Sequence, residues 1–549
     1  MEQSNWLGQL RRPRITRPDR WGVFVYLLAA VICLPIVAVL LHIGRESEAW
    51  DHLAATVLPG YLRNTLILVV AVTAISLLIA VPPAWLVTCF DFPGRRLFNW
   101  ALVLPLAIPT YVAAFVFYQL PEAAIPLLIK VRMNWGVDAF LAMELVIRYG
   151  ILIIMLAAVL YPYAYLACRA AFSQQGRTVI EAARCLGDSP GRVFFRVALP
   201  MARPAIVAGV ALIIMEVIND YGAVNFFGVP TLTEGVFRTW FGMGDKVSAL
   251  RLASIVMITV AVILAVEQLL RGRARYVEAE TGSRVPLSRS PLKGWKALGA
   301  TAVCLLPLAV GFIYPVYRLT HWALLNITSA SRTAFPSGES IARGTVLAAL
   351  TALIVTLTAA VFTYAVRLNR NRIRGVTGRI PGMGYATPGA VIAVGVMVVF
   401  GTLDRWNLPL LPLVSGTLFA VGFAYMVRFF AIPLQFSLAG MERLGKAPGE
   451  ASRLLGRGPM ATLLNIDLPL LKGPLIAAGM LLFVDILKEL PLTLILRPAN
   501  FETLATTAFS LAKEEQLHAC AVPSLMIVIA GGAGLLVMNR WLANPSQHD

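Results

Sequence analysis

Runs of about 20 apolar residues recur through most of this chain and constrain it more than any motif does. Each run is long enough to cross about 30 Å of hydrocarbon as a helix. Inside lipid every backbone N–H and C=O must be satisfied by the protein itself, which leaves helices or a closed barrel, and continuous runs of this length select helices. With 58% apolar and 14% charged residues, the chain is expected to be an all-α polytopic membrane protein. A formal charge of +18 would suit nucleic acid if the cations formed one face. They lie instead in short loops between the runs, the pattern of segments retained on the cytoplasmic side, so no nucleic-acid partner is expected.

The spans fall near 21–42, 65–89, 97–119, 149–170, 204–227, 251–270, 297–317, 345–366, 385–403, 411–435, 474–496 and 521–541, twelve in all. The first run is too long for a cleaved signal segment and lacks a small-residue cleavage site, so it reads as a retained anchor. Arg11, Arg12, Arg14, Arg17 and Arg20 place the N-terminus inside, and an even number of spans returns the C-terminus to the same side. Residues 120–147 read as a partly amphipathic outer segment. A polar, basic linker at 271–296 divides a first unit, 1–270, from a second, 297–549.

The second unit repeats the first. Glu181-Ala182-Ala183-Arg184-Cys185-Leu186-Gly187 returns as Glu450-Ala451-Ser452-Arg453-Leu454-Leu455-Gly456, 269 positions later. Each stretch lies in a basic inner loop and runs to a Leu-Pro pair, Leu199-Pro200 or Leu468-Pro469, with nineteen positions from glutamate to proline. Arg63-Asn64-Thr65 is echoed by Arg343-Gly344-Thr345, and Pro109 by Pro388. Six spans per unit give both units the same polarity, so the repeat is parallel about an axis along the membrane normal. Thr178 and Glu181 have the spacing of a capping box. Pro448 falls where the first helical residue is expected, with Glu450 two places on, and Gly187 and Gly456 mark the helix ends. Two turns of helix are not stable alone in water. Paired at equal spacing, they suit a partner that is itself a symmetric dimer.

Spans five and eleven carry charge. Counted from Pro200 and Pro469, carboxylates stand at the sixteenth and twentieth positions in both units: Glu216 and Asp220, Asp485 and Glu489, with Lys488 beside the last. On an unbroken helix each pair shares one face, roughly 18 and 24 Å from the inner end of the span. Four such acids facing lipid would cost on the order of 10 kcal/mol at about 2.5–3.5 kcal/mol each. They must meet water, one another or a cation, either as a pathway or as polar packing between helices.

The E-A-A…G…L-P loop resembles the coupling loop of the permease subunits of bacterial ABC importers, and the resemblance runs through nearly the whole chain, twice. It implies a type I importer-like bundle. Glu181, Ala182, Ala183, Arg184 and Gly187, and Glu450, Ala451, Ser452, Arg453 and Gly456, would then dock on two copies of a cytoplasmic ATP-binding subunit; Ser452 departs from alanine at the third position. The chain has no G-x-x-x-x-G-K-[ST] phosphate loop, so ATP and Mg would be bound by the partner, with no cofactor bound by this chain and no enzymatic role for it. Met215–Pro230 with Phe237–Phe241, and Val484–Pro498 with Thr503–Thr506, are similar to the ferric-iron branch, in which two permease domains are fused. That branch implies an inner-membrane permease served by a periplasmic or extracellular substrate-binding protein docking near 228–250 and 498–520. Thiamine or phosphonate are the alternative cargoes of this architecture, and a secondary transporter is the rival class. Charge reversal of Glu181 and Glu450 to lysine is expected to abolish co-purification of an ATP-binding subunit; ATP-independent uptake in liposomes would favour the rival instead.

Overall fold

The computed structural model describes residues 20–174, 189–271, 289–328, 338–368, 380–406, 414–445 and 447–543. The first paired loop, Glu181 to Gly187, and most of the linker lie outside the described residues. Among the described residues eight helices are long and apolar enough to cross a bilayer, and three further pairs are bent across short breaks. The pairs are Arg95–Ala107 with Thr110–Glu122 (88°), Gly191–Met201 with Arg203–Asn219 (69°), and Leu418–Phe429 with Ala431–Leu444 (49°). Together with the 17-residue helix Gly389–Arg405, these account for each of the twelve expected spans. We number them 1 to 12 in chain order. Residues 120–147 hold the short helix Leu120–Ala123 and a second helical stretch from Ile125, which a kink at Gly136, with φ 87°, separates from the helix that carries span 4 and ends at Gln174.

The repeat is written in the irregularities of the helices more than in their regular parts. Pro109 and Pro388 both stand immediately before a helix, with φ/ψ of −59°/145° and −54°/140°. A 3₁₀ turn precedes each, Leu104–Ala107 and Ile380–Ala386. Proline has no N–H to give to a preceding turn and disfavours the helical region before it, so each span starts its ordered part there. The inner ends of spans 5 and 11 contain matched π-turns, Phe194–Ala198 and Leu463–Asp467. In each, the leucine of the Leu-Pro pair bonds five residues back, Leu199 to Phe194 and Leu468 to Leu463. The following proline cannot donate to the ordinary ladder, and the wider turn accommodates the missing bond.

The two units exchange their first spans. Span 1 (Arg20–Leu40) packs against spans 8 and 9 of the second unit, while span 7 (Trp295–Thr328) packs against spans 2 to 4 of the first and against span 12 (Leu517–Ala543). Glycine makes the closest crossings possible. A β-carbon on Gly395 would meet the Pro35 carbonyl oxygen at 2.4 Å, and one on Gly311 would meet the Ala158 carbonyl oxygen at 2.1 Å. On the inner side Phe90–Asp91 pairs in parallel with Ser290–Pro291, a two-residue ladder tying the end of the linker to the turn after span 2. On the outer side short helices lie over the starts of spans 2 and 8. Thr231 caps Leu232–Phe237 and Thr503 caps Leu504–Lys513, the latter in a reciprocal box with Thr506. Thr65 accepts the Leu232 N–H, and Gly344 lies against the Thr503 backbone. The Arg63 and Arg343 echoes thus occupy equivalent places.

Gly311→Ala is expected to overpack the crossing of span 7 with span 4 and to cost about 1–3 kcal/mol. A lowered unfolding temperature of the detergent-solubilised protein would report it. Gly299→Ala, which meets nothing within 4 Å, is the matched control.

Candidate functional site

A cavity of about 130 Å³ opens where spans 3, 4 and 5 face spans 9, 10 and 11. Its lining includes Glu216, Asp220, Asp485, Lys488 and Glu489, so the five charged residues singled out in spans 5 and 11 meet at one place. Arg428, Tyr163, Tyr385 and Asn219 complete the polar wall. Arg428 carries no repeated motif around it and sits in an apolar run, so nothing in the sequence set it apart. The tyrosines read as ordinary core aromatics.

The expectation that each acid pair shares one helix face is corrected here. Span 5 is helical over Arg203–Asn219 and stops; Asp220 is extended, with φ −66° and ψ 123°. Span 11 is helical to Leu487, Lys488 closes it, and Glu489 lies outside. The chain then re-enters a short helix on each side, Gly222–Phe226 or Pro491–Leu496. The second acid of each pair holds this break together. Asp220 Oδ1 accepts the N–H groups of Ala223 and Val224 at 3.0 and 3.1 Å, and Glu489 Oε1 accepts that of Leu492 at 3.2 Å. These are helix N-terminal donors that would otherwise be left without a partner away from water.

Among the described residues lining the cavity, both ion pairs lie in the second unit. Lys488 Nζ lies 2.8 Å from Asp485 Oδ1, and Arg428 Nε lies 3.5 Å from Glu489 Oε2. Arg428 is wedged against the start of span 9, where a β-carbon on Gly389 would come within 1.9 Å of Nη1; only glycine leaves that room. Glu216 has no such partner: its hydrogen bond is from the Tyr163 hydroxyl at 3.4 Å. Four carboxylates face two cations, a formal charge of −2 if all are ionised. Among the described residues no three His, Cys, Asp or Glu side chains are grouped to hold a metal.

The second paired loop is the helix Ala447–Leu454. Pro448 falls one place inside the expected first position. Gly456 takes φ 79°; its N–H bonds the Arg453 carbonyl, and that of Arg457 bonds the Ser452 carbonyl. Both bonds of a Schellman ending are present, and they need the left-handed glycine. Ser452 is buried, 2% exposed, with its hydroxyl 2.9 Å from that of Thr462. Its departure from alanine thus ties the short helix to the turn below span 11. Arg367 of span 8 adds a bond to the Gly445 carbonyl and lies 3.8 Å from Asp467. Glu450, Ala451 and Arg453 are exposed. So are Leu454 and Leu455, at 90% and 82%, an apolar pair that the sequence pattern alone did not single out.

Residues 74–275 match the family described as binding-protein-dependent transport system inner membrane component. This stretch of the chain belongs to that permease family. The chain is similar over 533 residues, at 24% identity, to the Fe(3+)-transport system permease protein FbpB 2 of Haemophilus influenzae, an alignment that covers 96% of this chain and 99% of that protein. It is also similar to the sulfate transport system permease protein CysT of Escherichia coli, 27% identical over 214 residues, 37% of this chain and 72% of that protein. A probable molybdenum ABC transporter permease protein of Haloferax volcanii is 27% identical over 220 residues, 39% of this chain and 77% of that protein. The sulfate and molybdenum relatives each cover little more than a third of the chain, whereas the similarity to the Haemophilus protein runs through nearly all of it.

Removing the Asp220 acceptor (Asp220→Ala) is expected to destabilise the permease by about 0.5–2 kcal/mol, the usual range for a lost helix cap, while Asp220→Asn retains an oxygen and most of the stability. Thermal unfolding in detergent separates the two. Glu489→Ala should behave like Asp220→Ala, so Glu216→Gln is the cleaner probe of transport.

Proposed function

We propose that the permease carries ferric iron into the cytoplasm, delivered by a soluble substrate-binding protein and driven by two copies of a separate ATP-binding subunit. The observation that carries the cargo assignment is the balance of the central cavity, four carboxylates against two cations. An excess of hard oxygen donors suits a small, highly charged cation and disfavours a multiply charged oxyanion. Full-length similarity to an Fe(3+)-transport permease of Haemophilus influenzae supports the same choice. Room for an ion with part of its water shell, and no preassembled cluster of ligands, fits passage in place of storage, since a pathway must release what it takes up.

The exposed short helix at Ala447–Leu454 is the proposed seat of one ATP-binding subunit, with Glu450 and Arg453 at its polar side and Leu454 and Leu455 as its apolar contact. Glu181 to Gly187 would seat the other. ATP and Mg belong to those subunits; this chain is the passive bundle that reorients. Arginine-rich loops support a cytoplasmic position for both termini, and the helices Leu232–Phe237 and Leu504–Lys513 at the other end of the bundle would face the binding protein.

An oxyanion cargo has its own supporting features: the similarity to sulfate and molybdenum permeases and the Arg428 Nη1, which is buried without a hydrogen-bond partner. That nitrogen packs on the Gly389 backbone and its guanidinium already faces Glu489, which weakens the case. The test is uptake by proteoliposomes holding the permease and its ATP-binding subunits, presented with binding protein loaded with radioactive iron(III). ATP-dependent accumulation is expected, reduced by an order of magnitude or more in Glu216→Gln with assembly intact. Uptake of labelled sulfate and none of iron would reverse the assignment.

A further inference from the structure

Spans 4 and 5 and spans 10 and 11, on the two walls of the cavity, are related by the 269-residue offset, and they differ where it matters. Glu216 corresponds to Asp485 and Asp220 to Glu489, but Lys488 answers to Asn219 and Arg428 to Val159, all of them lining the cavity. The second wall therefore carries two acids and two cations; the first carries two acids and none. Lys488 and Arg428 are paired with Asp485 and Glu489, so the second wall is neutralised by its own side chains.

On the first wall the groups divide differently. Asp220 is engaged by backbone N–H groups. Glu216 receives the long contact from the Tyr163 hydroxyl and faces the charges of Arg428 and Lys488 across the cavity without an ion pair to either. Asn219, 7% exposed, has its side-chain oxygen Oδ1 buried with no hydrogen-bond partner. A buried amide oxygen left unpaired is costly and rare. Glu216 and Asn219 are three residues apart on one helix, which makes them neighbours on its surface.

We propose that Glu216 and the Asn219 amide oxygen, with the Tyr163 hydroxyl beside them, form a single transient seat for a hard multivalent cation on the first unit only. Water completes the shell. The equivalent seat on the second unit is filled by the protein itself, with the Lys488 ammonium in the place a metal would take. Both seats left open would put four bare carboxylates opposite each other and hold a trivalent ion too tightly to release it. One open seat beside a neutralised wall gives the ion a place to stop and no second set of ligands to close around it. This rests on the cation assignment made above and adds the side on which the ion binds.

Tb(III) is the probe, because nearby tyrosines sensitise its luminescence. The purified complex of permease and ATP-binding subunits is titrated with it. One sensitised site per permease chain is expected. Glu216→Gln and Asn219→Leu should each weaken it roughly tenfold or more, the loss of one contact to a charged group, while Asn219→Asp should tighten it. Arg428→Val combined with Lys488→Asn, which removes both cations from the second wall, should raise the stoichiometry to two. Size-exclusion profiles check that each variant assembles. Two sites in the unaltered protein, none, or an Asn219→Leu variant that binds as before would each overturn the single-seat proposal. Terbium bound as described but no iron carried in proteoliposomes would leave the seat and remove iron as cargo. Iron uptake at the normal rate in Asn219→Leu would keep the cargo and remove the seat.

Discussion

Satisfying backbone N–H groups at the breaks in spans 5 and 11 is the constraint on which the rest of this molecule depends. A helix that stops within a bilayer exposes donors and acceptors that lipid cannot satisfy. Here a carboxylate one or two residues past each break, Asp220 or Glu489, takes up the first donors of the following short helix. The acid is thus fixed by main chain, and the main chain is held open by the acid. Once the break exists, the wall it leaves is polar, and Glu216, Asp485 and Lys488 on the preceding turns have somewhere to point other than lipid.

Duplication places two such breaks face to face, and later divergence decides what lies between them. The irregular features have kept their places: the prolines that start spans 3 and 9, the π-turns beneath spans 5 and 11, and the threonine caps on the outer helices. These are positions where backbone geometry leaves few alternatives. The cavity side chains are freer, and there the units differ, with Val159 and Asn219 in one and Arg428 and Lys488 in the other.

Much of this was legible in the sequence because hydrocarbon imposes simple rules. Apolar runs gave the spans, and a glycine gave the end of the short helix Ala447–Leu454, down to the left-handed Gly456. The acids of spans 5 and 11 stood out because charge in an apolar run is expensive. What the sequence concealed was the break between them, since periodicity assumes a helix that continues, and Asn219-Asp220 carries no proline or glycine until Gly222. Arg428 was hidden for a different reason. A lone cation at the inner end of an apolar run is common, and only the tertiary fold brings it opposite Glu489. Leu454 and Leu455 were obscured because an apolar pair beside a span reads as more of the same.

The exchange of first spans bears on how such a chain is made. Pro35 and Gly395, whose backbones touch in the finished bundle, are 360 residues apart (395 − 35). Span 1 leaves the ribosome long before spans 8 and 9 exist, and it has to wait in the bilayer with its eventual contact face turned to lipid. That face, with Val25, Ala29, Ile32, Pro35 and Val39, is apolar, so waiting in lipid does no harm. Joining both units in one polypeptide ensures that the awaited partner arrives from the same message, at equal dose and within the same patch of membrane.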